Sequence, residues 1–308
     1  MTVASSPGKI MLSGEYAVLN GGRALAHTLD KRLTVEVLQG SQGISIASDI
    51  WAKKKYFSDD DPDFICQSLK YFESLFGKLP PLDIKISSNI EISYGIGSSS
   101  ALRLSLFAAL QKHLELGWSV LDVAQLAFKD QKRAQGQASG YDILTQSLGG
   151  LVEMSTGSDI WPKSSRQTHS CHLDKIQIMI GGKGAPTRET LVSVSQWLAS
   201  KRDPQSLHAV SENLTDAWLG NDFPYLLEKV EAHRLFFEGA PRFPGKLSEA
   251  LKPYCNLSNW SWKLTGAGGE DALLIVGNIP SEANLVFQKF GWRTADLTFS
   301  KEGLRYGL

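Results

Sequence analysis

The segment Ile92-Ser-Tyr-Gly-Ile-Gly-Ser-Ser-Ser-Ala101 constrains this chain more than any other. Two glycines and three serines stand between a strand-like run and an apolar, helix-forming run, so the backbone has to turn and then start a helix. Gly95 and Gly97 lack the Cβ that would keep backbone N–H groups from an anion. Ser98, Ser99 and Ser100 sit where a helix beginning near Ala101 has unsatisfied donors and its positive dipole end. The segment reads as a phosphate cradle or, taken alone, as a glycine-serine helix cap.

Composition narrows the setting of such a loop. A chain of 308 residues with 42% hydrophobic content can bury a large core and is long enough for two packed lobes. Thirty-two basic residues balance thirty-two acidic ones, so no polyanionic nucleic-acid partner and no membrane-surface helix is expected. The start Met1-Thr-Val-Ala-Ser-Ser lacks the basic and apolar regions of a secretory signal, and a cytoplasmic location is expected. Cys66, Cys171 and Cys255 are odd in number and widely spaced, which argues against a disulfide framework or a zinc site. His169 and His172 flank Cys171 in a polar stretch that reads as a solvated loop.

Patterning predicts an α+β order. Strands are expected over 10–18, 33–37 and 82–92, followed by an all-round apolar, buried helix over 101–116. Ser119 with Asp122 forms a capping box for a second helix. A strand over 150–154 closes the first lobe, and the polar stretch 155–168 is the expected linker. Beyond it a strand (175–180), three helices (187–198, 206–219, 224–237) and two strands (260–265, 272–276) are expected, with Asn221 or Asp222 capping the third helix. The expected division is an N-terminal lobe, 1–160, and a C-terminal lobe, 170–308.

Two further segments give the loop its meaning: Pro7-Gly-Lys-Ile-Met-Leu-Ser-Gly-Glu-Tyr-Ala-Val-Leu19 and Lys263-Leu-Thr-Gly-Ala-Gly-Gly-Glu-Asp-Ala-Leu-Leu-Ile-Val276. With the Ile92–Ala101 segment they resemble, in order and spacing, the three motifs of the GHMP kinases, the family of galactokinase, homoserine kinase, mevalonate kinase and phosphomevalonate kinase. The resemblance runs from about Ser5 to Val276. It implies the GHMP kinase fold, an N-terminal lobe like ribosomal protein S5 domain 2 and a ferredoxin-like C-terminal lobe, with the active site between them. It also implies ATP and Mg2+ as cofactors, a small-molecule substrate, and a monomer or homodimer.

Phosphoryl transfer asks a protein for positioning and charge stabilisation, hence for an N–H cradle, a magnesium ligand, a cation and an acceptor for the nucleophile's proton. By the resemblance, Gly95, Gly97, Ser98, Ser99 and Ser100 bind the ATP phosphates, with the Ser99 hydroxyl reaching magnesium. A plain N-cap is the alternative for Ser99. Lys9 matches the family lysine that approaches the reacting hydroxyl, whereas most lysines are exposed at strand edges. Asp142, in Ser139-Gly-Tyr-Asp142, matches the catalytic aspartate of the mevalonate kinase pattern, and the plainer reading is a helix cap. Gly266, Ala267, Gly268 and Gly269 match the third motif, and with Glu15, Lys183 and Arg188 they make up the expected substrate and phosphate loops.

Several residues bear on the substrate. Glu15-Tyr16 and Asp271 are similar to phosphomevalonate kinases, and 182–192 resembles a loop and helix beside the substrate in both mevalonate-pathway kinases. Ser139 to Asp142 reads more like mevalonate kinase. Gln131 replaces a magnesium-binding glutamate of mevalonate kinases, with Asp130 as a conceivable substitute. Ser93 and Ser100 replace a usual glycine and alanine. Lys31, Arg32, Lys183 and Arg188 are candidate holders of a substrate phosphate. The expectation is an ATP-dependent kinase of a mevalonate-pathway intermediate with phosphomevalonate preferred and mevalonate the alternative. A lyase like diphosphomevalonate decarboxylase and a catalytically silent sensor are further alternatives.

Overall fold

The computed structural model describes residues 1–49, 54–58, 60–92, 94–157, 160–183, 187–201, 204–255, 259–268 and 270–307. The chain begins with strands β1 (Thr2–Ser13), β2 (Arg23–Gln39), β3 (Ile44–Ser48) and β4 (Lys55–Tyr56), then helix α1 (Phe64–Phe76) and β5 (Leu82–Ser88). Helices α2 (Ser98–His113), α3 (Val120–Gln135) and α4 (Tyr141–Leu148) lead to the hairpin β6 (Leu151–Ser155) and β7 (Ser164–Thr168). The second half runs β8 (Ile176–Lys183), α5 (Thr187–Ser200), α6 (Pro204–Leu219), α7 (Phe223–Phe237), α8 (Gly245–Leu251), β9 (Trp260–Leu264), β10 (Glu270–Gly277), α9 (Ser281–Lys289), β11 (Arg293–Thr294) and β12 (Arg305–Tyr306).

The strands form two sheets. The first has the order β12-β1-β2-β5-β3-β4, with β6 pairing β2 and β7 pairing β6. Among the described residues only the β3 and β5 pair is parallel, its crossover passing through α1. The second is a four-stranded antiparallel sheet, β11-β8-β10-β9. This mixed α+β arrangement agrees with the expected fold class.

Hydrophobic patterning explains which faces are inside. Residues 100, 101 and 103–111 of α2 are all buried; the apolar ones pack on β1 and β2, while Arg103, Ser105 and Gln111 are hydrogen-bonded. α3 starts at the predicted capping box, where Ser119 accepts from the Asp122 N–H and Asp122 accepts from that of Ser119. Asp222, not Asn221, caps α7. One apolar core contains side chains of both sheets and of α2, α3, α6 and α7.

The stretch 155–168 does not act as a linker throughout, because Ser164–Thr168 pairs antiparallel with β6. A strand at a sheet edge needs only backbone hydrogen bonds, so its exposed polar side chains hid it from pattern reading. His172 is likewise buried against Phe223 rather than solvated, while His169 and Cys171 are exposed. The chain ends on the first sheet, where β12 pairs with β1.

Candidate active site

The Gly-rich loop lies beside β1, and Lys9 joins the two. The register of β1 against β2 shifts between Pro7 and Lys9, a local irregularity of the kind that re-aims a side chain. The Lys9 backbone N–H donates to the Ile96 carbonyl at 2.8 Å. Its Nζ donates to the Gly95 carbonyl at 2.7 Å and to the Tyr141 hydroxyl at 2.8 Å. The side chain is buried rather than exposed at an edge. Burial lowers its pKa, and Asp142, then Asp271 and Glu15, oppose that by favouring the ammonium.

Gly97 caps α2 from the left-handed region, φ +91°, with no side chain capping the first turn. A Cβ there would lie 2.9 Å from Lys9 Cγ and 2.8 Å from Gln146 Nε2, so glycine is required by the lysine stem beneath the loop. Gln146 fastens the same loop, donating to the carbonyls of Pro7 (2.7 Å) and Gly97 (2.9 Å). The three serines differ. All three line the cleft, but Ser100 is buried and its hydroxyl donates to the Gly97 carbonyl at 3.1 Å. Ser99 Oγ accepts from Arg103 Nη1 at 2.9 Å.

Asp142 is the second residue of α4, which starts after Gly140 at φ +71°. Any Cβ on Gly140 would strike the stacked rings of Phe128 and Trp161, so this turn too is fixed by packing. One carboxylate oxygen accepts from the Ile143 N–H at 2.9 Å and the other from Gln131 Nε2 at 2.8 Å. The carboxylate thus also satisfies one free N–H in the first turn of its helix. Asp130, the conceivable metal ligand, is instead fully buried and held by Arg103 at 3.0 Å, Arg133 at 2.8 Å and Ser68 at 2.6 Å. An aspartate whose oxygens already serve two guanidinium groups is not available to a metal in the cleft.

Glu15 is engaged away from the phosphate loop. Its carboxylate pairs with Lys263, which is 0% exposed in the side chain, and stands 3.0 Å from His233 Nε2. Burial pushes its pKa up, but Lys263 and then His233 outweigh this and hold it at about 2. Tyr16 donates to the Ala267 carbonyl at 2.6 Å, and Thr265 donates to that of Met11 at 2.7 Å, pinning the third motif to β1. Gly266 and Ala267 face the cleft, while Gly268 lines a small apolar cavity behind it with Glu15 and His233. Gly269 and Ser93 lie outside the described residues.

The result is a cleft of about 180 Å³ lined by Lys9, Gly97, Ser99, Tyr141, Asp142 and Asp271 among others. Lys183 lies at the end of β8, its backbone paired with Glu270, and Arg188 lies in the first turn of α5; their side chains lie outside the described part. Lys31 and Arg32 do not line the cleft. Lys31 faces Asp296 at 3.6 Å, and Arg32 donates to the carbonyls of Ser5 (2.7 Å) and Gly303 (2.8 Å). Sequence reading missed Tyr141, Gln146, Arg103, Lys263 and His233 as site neighbours. Tyr141 was findable, standing inside the Ser-Gly-x-Asp pattern, and Lys263 opens the third motif segment, whereas Gln146, Arg103 and His233 come from helix interiors with no local signal.

Among the described residues no three His, Cys, Asp or Glu side chains gather to hold a metal ion. Ser98, Ser99, Asp142 and Asp271 offer side-chain oxygens at the mouth of the loop, a set that suits magnesium carried in with a nucleotide rather than an all-protein cage. No helix of the described residues is long and apolar enough to cross a membrane.

Residues 63–150 match the family model described as the GHMP kinases N terminal domain. The chain is 28% identical over 338 residues to a mevalonate kinase of Pyrococcus abyssi, covering 99% of this chain and 97% of that one. It is 30% identical over 168 residues to a mevalonate kinase of Saccharolobus solfataricus, an alignment spanning about half of each chain, 51% and 52%. Its fold is similar to the Streptococcus pneumoniae phosphomevalonate kinase solved with phosphomevalonate and AMPPNP, with a TM-score of 0.78 at 19% identity, covering 97% of this chain and 100% of that one.

Proposed function

This chain belongs to the GHMP kinase family, and we propose that it is the ATP-dependent kinase that phosphorylates the 5-hydroxyl of mevalonate. The observation that carries the reading is Lys9 held between the Gly95 carbonyl and Tyr141 with Asp142 nearby. A cation and a carboxylate at the mouth of an N–H loop are what transfer to an alcohol needs.

In the proposed step the substrate hydroxyl oxygen bonds to the γ-phosphorus of ATP as the bond from that phosphorus to the β-phosphate oxygen breaks. ADP leaves, and the hydroxyl proton passes to Asp142. Lys9 stabilises the charge on the transferred group, and the Gly95 to Ser99 backbone holds the phosphates. Magnesium, when bound, neutralises charge between the phosphates, and Ser99 Oγ would hold it.

The choice of mevalonate rests on charge as well as on the names of the sequence relatives. Among the described side chains lining the cleft, Lys9 is the one lysine or arginine, set among Glu15, Asp142 and Asp271. A phosphorylated substrate brings more negative charge and asks for another cation. The second reading, phosphomevalonate, draws on Lys183, whose backbone pairs with Glu270 next to Asp271, and on Arg188 in the first turn of α5. A coupled ADP-release assay with each substrate tests the proposal. Faster turnover of mevalonate is expected. Turnover of phosphomevalonate alone would overturn that choice in favour of the second reading, and Arg188→Met should then raise the KM for phosphomevalonate far more than that for ATP. No ADP release with either would overturn the kinase assignment.

A further inference from the structure

We propose that Gln131 is a positioning residue whose side-chain N–H aims the Asp142 carboxylate. The inference rests on the kinase reading of the cleft and deepens it. Gln131 lies on α3, is 5% exposed, and donates from Nε2 to Asp142 Oδ2 at 2.8 Å. The other Asp142 oxygen is taken by the Ile143 N–H. An ionised carboxylate can only accept, so the amide must turn its nitrogen toward Asp142.

That orientation leaves Gln131 Oε1 buried without a hydrogen-bond partner. An unpartnered buried acceptor costs stability, so the donor half of the amide, held by Asp142, is the half with a defined task in this structure. The arm is rigid at its root. The preceding residue, Asp130, is held by Arg103, Arg133 and Ser68, which fixes this turn of α3 against α1 and α2. Arg103 in turn donates to Ser99 of the phosphate loop. Two consecutive residues of one helix therefore reach the phosphate loop and the proton acceptor, and α3 sets the spacing between them.

A bare side-chain contact and a positioning role make different predictions. Gln131→Leu removes the donor and the orphaned oxygen together. It should lower kcat about ten- to a hundredfold, leave the KM for ATP within about twofold, and leave Tm unchanged or raised. Gln131→Glu keeps the shape and adds an oxygen ligand, but it cannot donate when ionised and sets a second carboxylate against Asp142. Its kcat should fall at least as far. In the ligand-free protein the Gln131 side-chain amide, assigned in 15N NMR spectra by its loss in Gln131→Leu, should exchange slowly and shift in Asp142→Ala. Wild-type kcat in Gln131→Leu, equal or higher kcat in Gln131→Glu, or an amide signal indifferent to Asp142→Ala would overturn the proposal. Should the wild-type protein phosphorylate neither mevalonate nor phosphomevalonate, the kinase reading fails instead, and the amide spectra then decide the positioning contact by themselves.

Discussion

Asp142 and Lys9 line the same cleft although 133 positions separate them in sequence, and each is held by hydrogen bonds to neighbours. Asp142→Asn keeps size and most hydrogen bonding but removes the proposed proton acceptor. It should lower kcat about 10²–10⁴-fold, the usual span for a positioned general base, with Tm and ATP affinity little changed. Near-normal turnover would show that Asp142 only caps α4. Glu15 carries a prediction about stability. Its folded carboxyl titrates at about 2 against an ordinary 4.5, so its contribution is fully present above about pH 4.5 and is lost as the pH falls from there toward 2. Glu15→Gln should flatten the fall of Tm with pH across that window. It also strands the buried Lys263 ammonium, which should cost about 3–5 kcal/mol at neutral pH, read from urea unfolding.

The loop and α2 act as one element. The helix is buried along most of its length and packed on the first sheet, so its N-terminus is a fixed set of N–H groups rather than an adaptable one. Gly97 transmits that rigidity to Lys9, because the loop backbone rests on the lysine stem. Gly97→Val would demand φ +91° of a β-branched residue and push on both Lys9 and Gln146. We expect it to weaken ATP in calorimetry by at least tenfold and to lower kcat, with helix content by circular dichroism retained. Unchanged nucleotide affinity in a folded variant would rule the loop out as the cradle.

The cleft exists because the halves of the chain are tied together around it. Ser13 meets Thr215 at 2.7 Å, the Trp218 indole donates to the Leu12 carbonyl at 3.1 Å, and Lys263 reaches Glu15, so β1 is bound to α6 and β9 along its C-terminal end. The last strand, β12, completes the first sheet beside β1, and Thr28 donates to the Ser300 carbonyl at 2.6 Å. Deleting residues 298–308 exposes the outer edge of β1, the strand that carries Lys9. The truncated protein should lose several degrees of Tm and unfold cooperatively as one unit, since one core spans both sheets. Two separated calorimetric transitions would contradict that shared core.

Sequence alone made α2, α3, α5, α6 and α7 legible, because an apolar period and a capping box are local physics. Ser119 with Asp122 and the largely apolar α2 needed no partner to be recognised, whereas α1, α8 and α9 were not expected. The three glycine-rich segments likewise carried the resemblance to the GHMP kinases, while the loop over 92–101 taken alone also read as a helix cap. Short edge strands were not legible. Ser164–Thr168 and Arg305–Tyr306 are held by backbone pairing to distant strands, and their side chains carry no pattern of burial. Nor could sequence assign the charges. Glu15, Asp130 and Asp142 look alike in one dimension, but Lys263 and His233 claim the first, two arginines the second and an amide the third. Which carboxylate remains turned to the cleft is a matter of desolvation and partners, and both are properties of the folded interior.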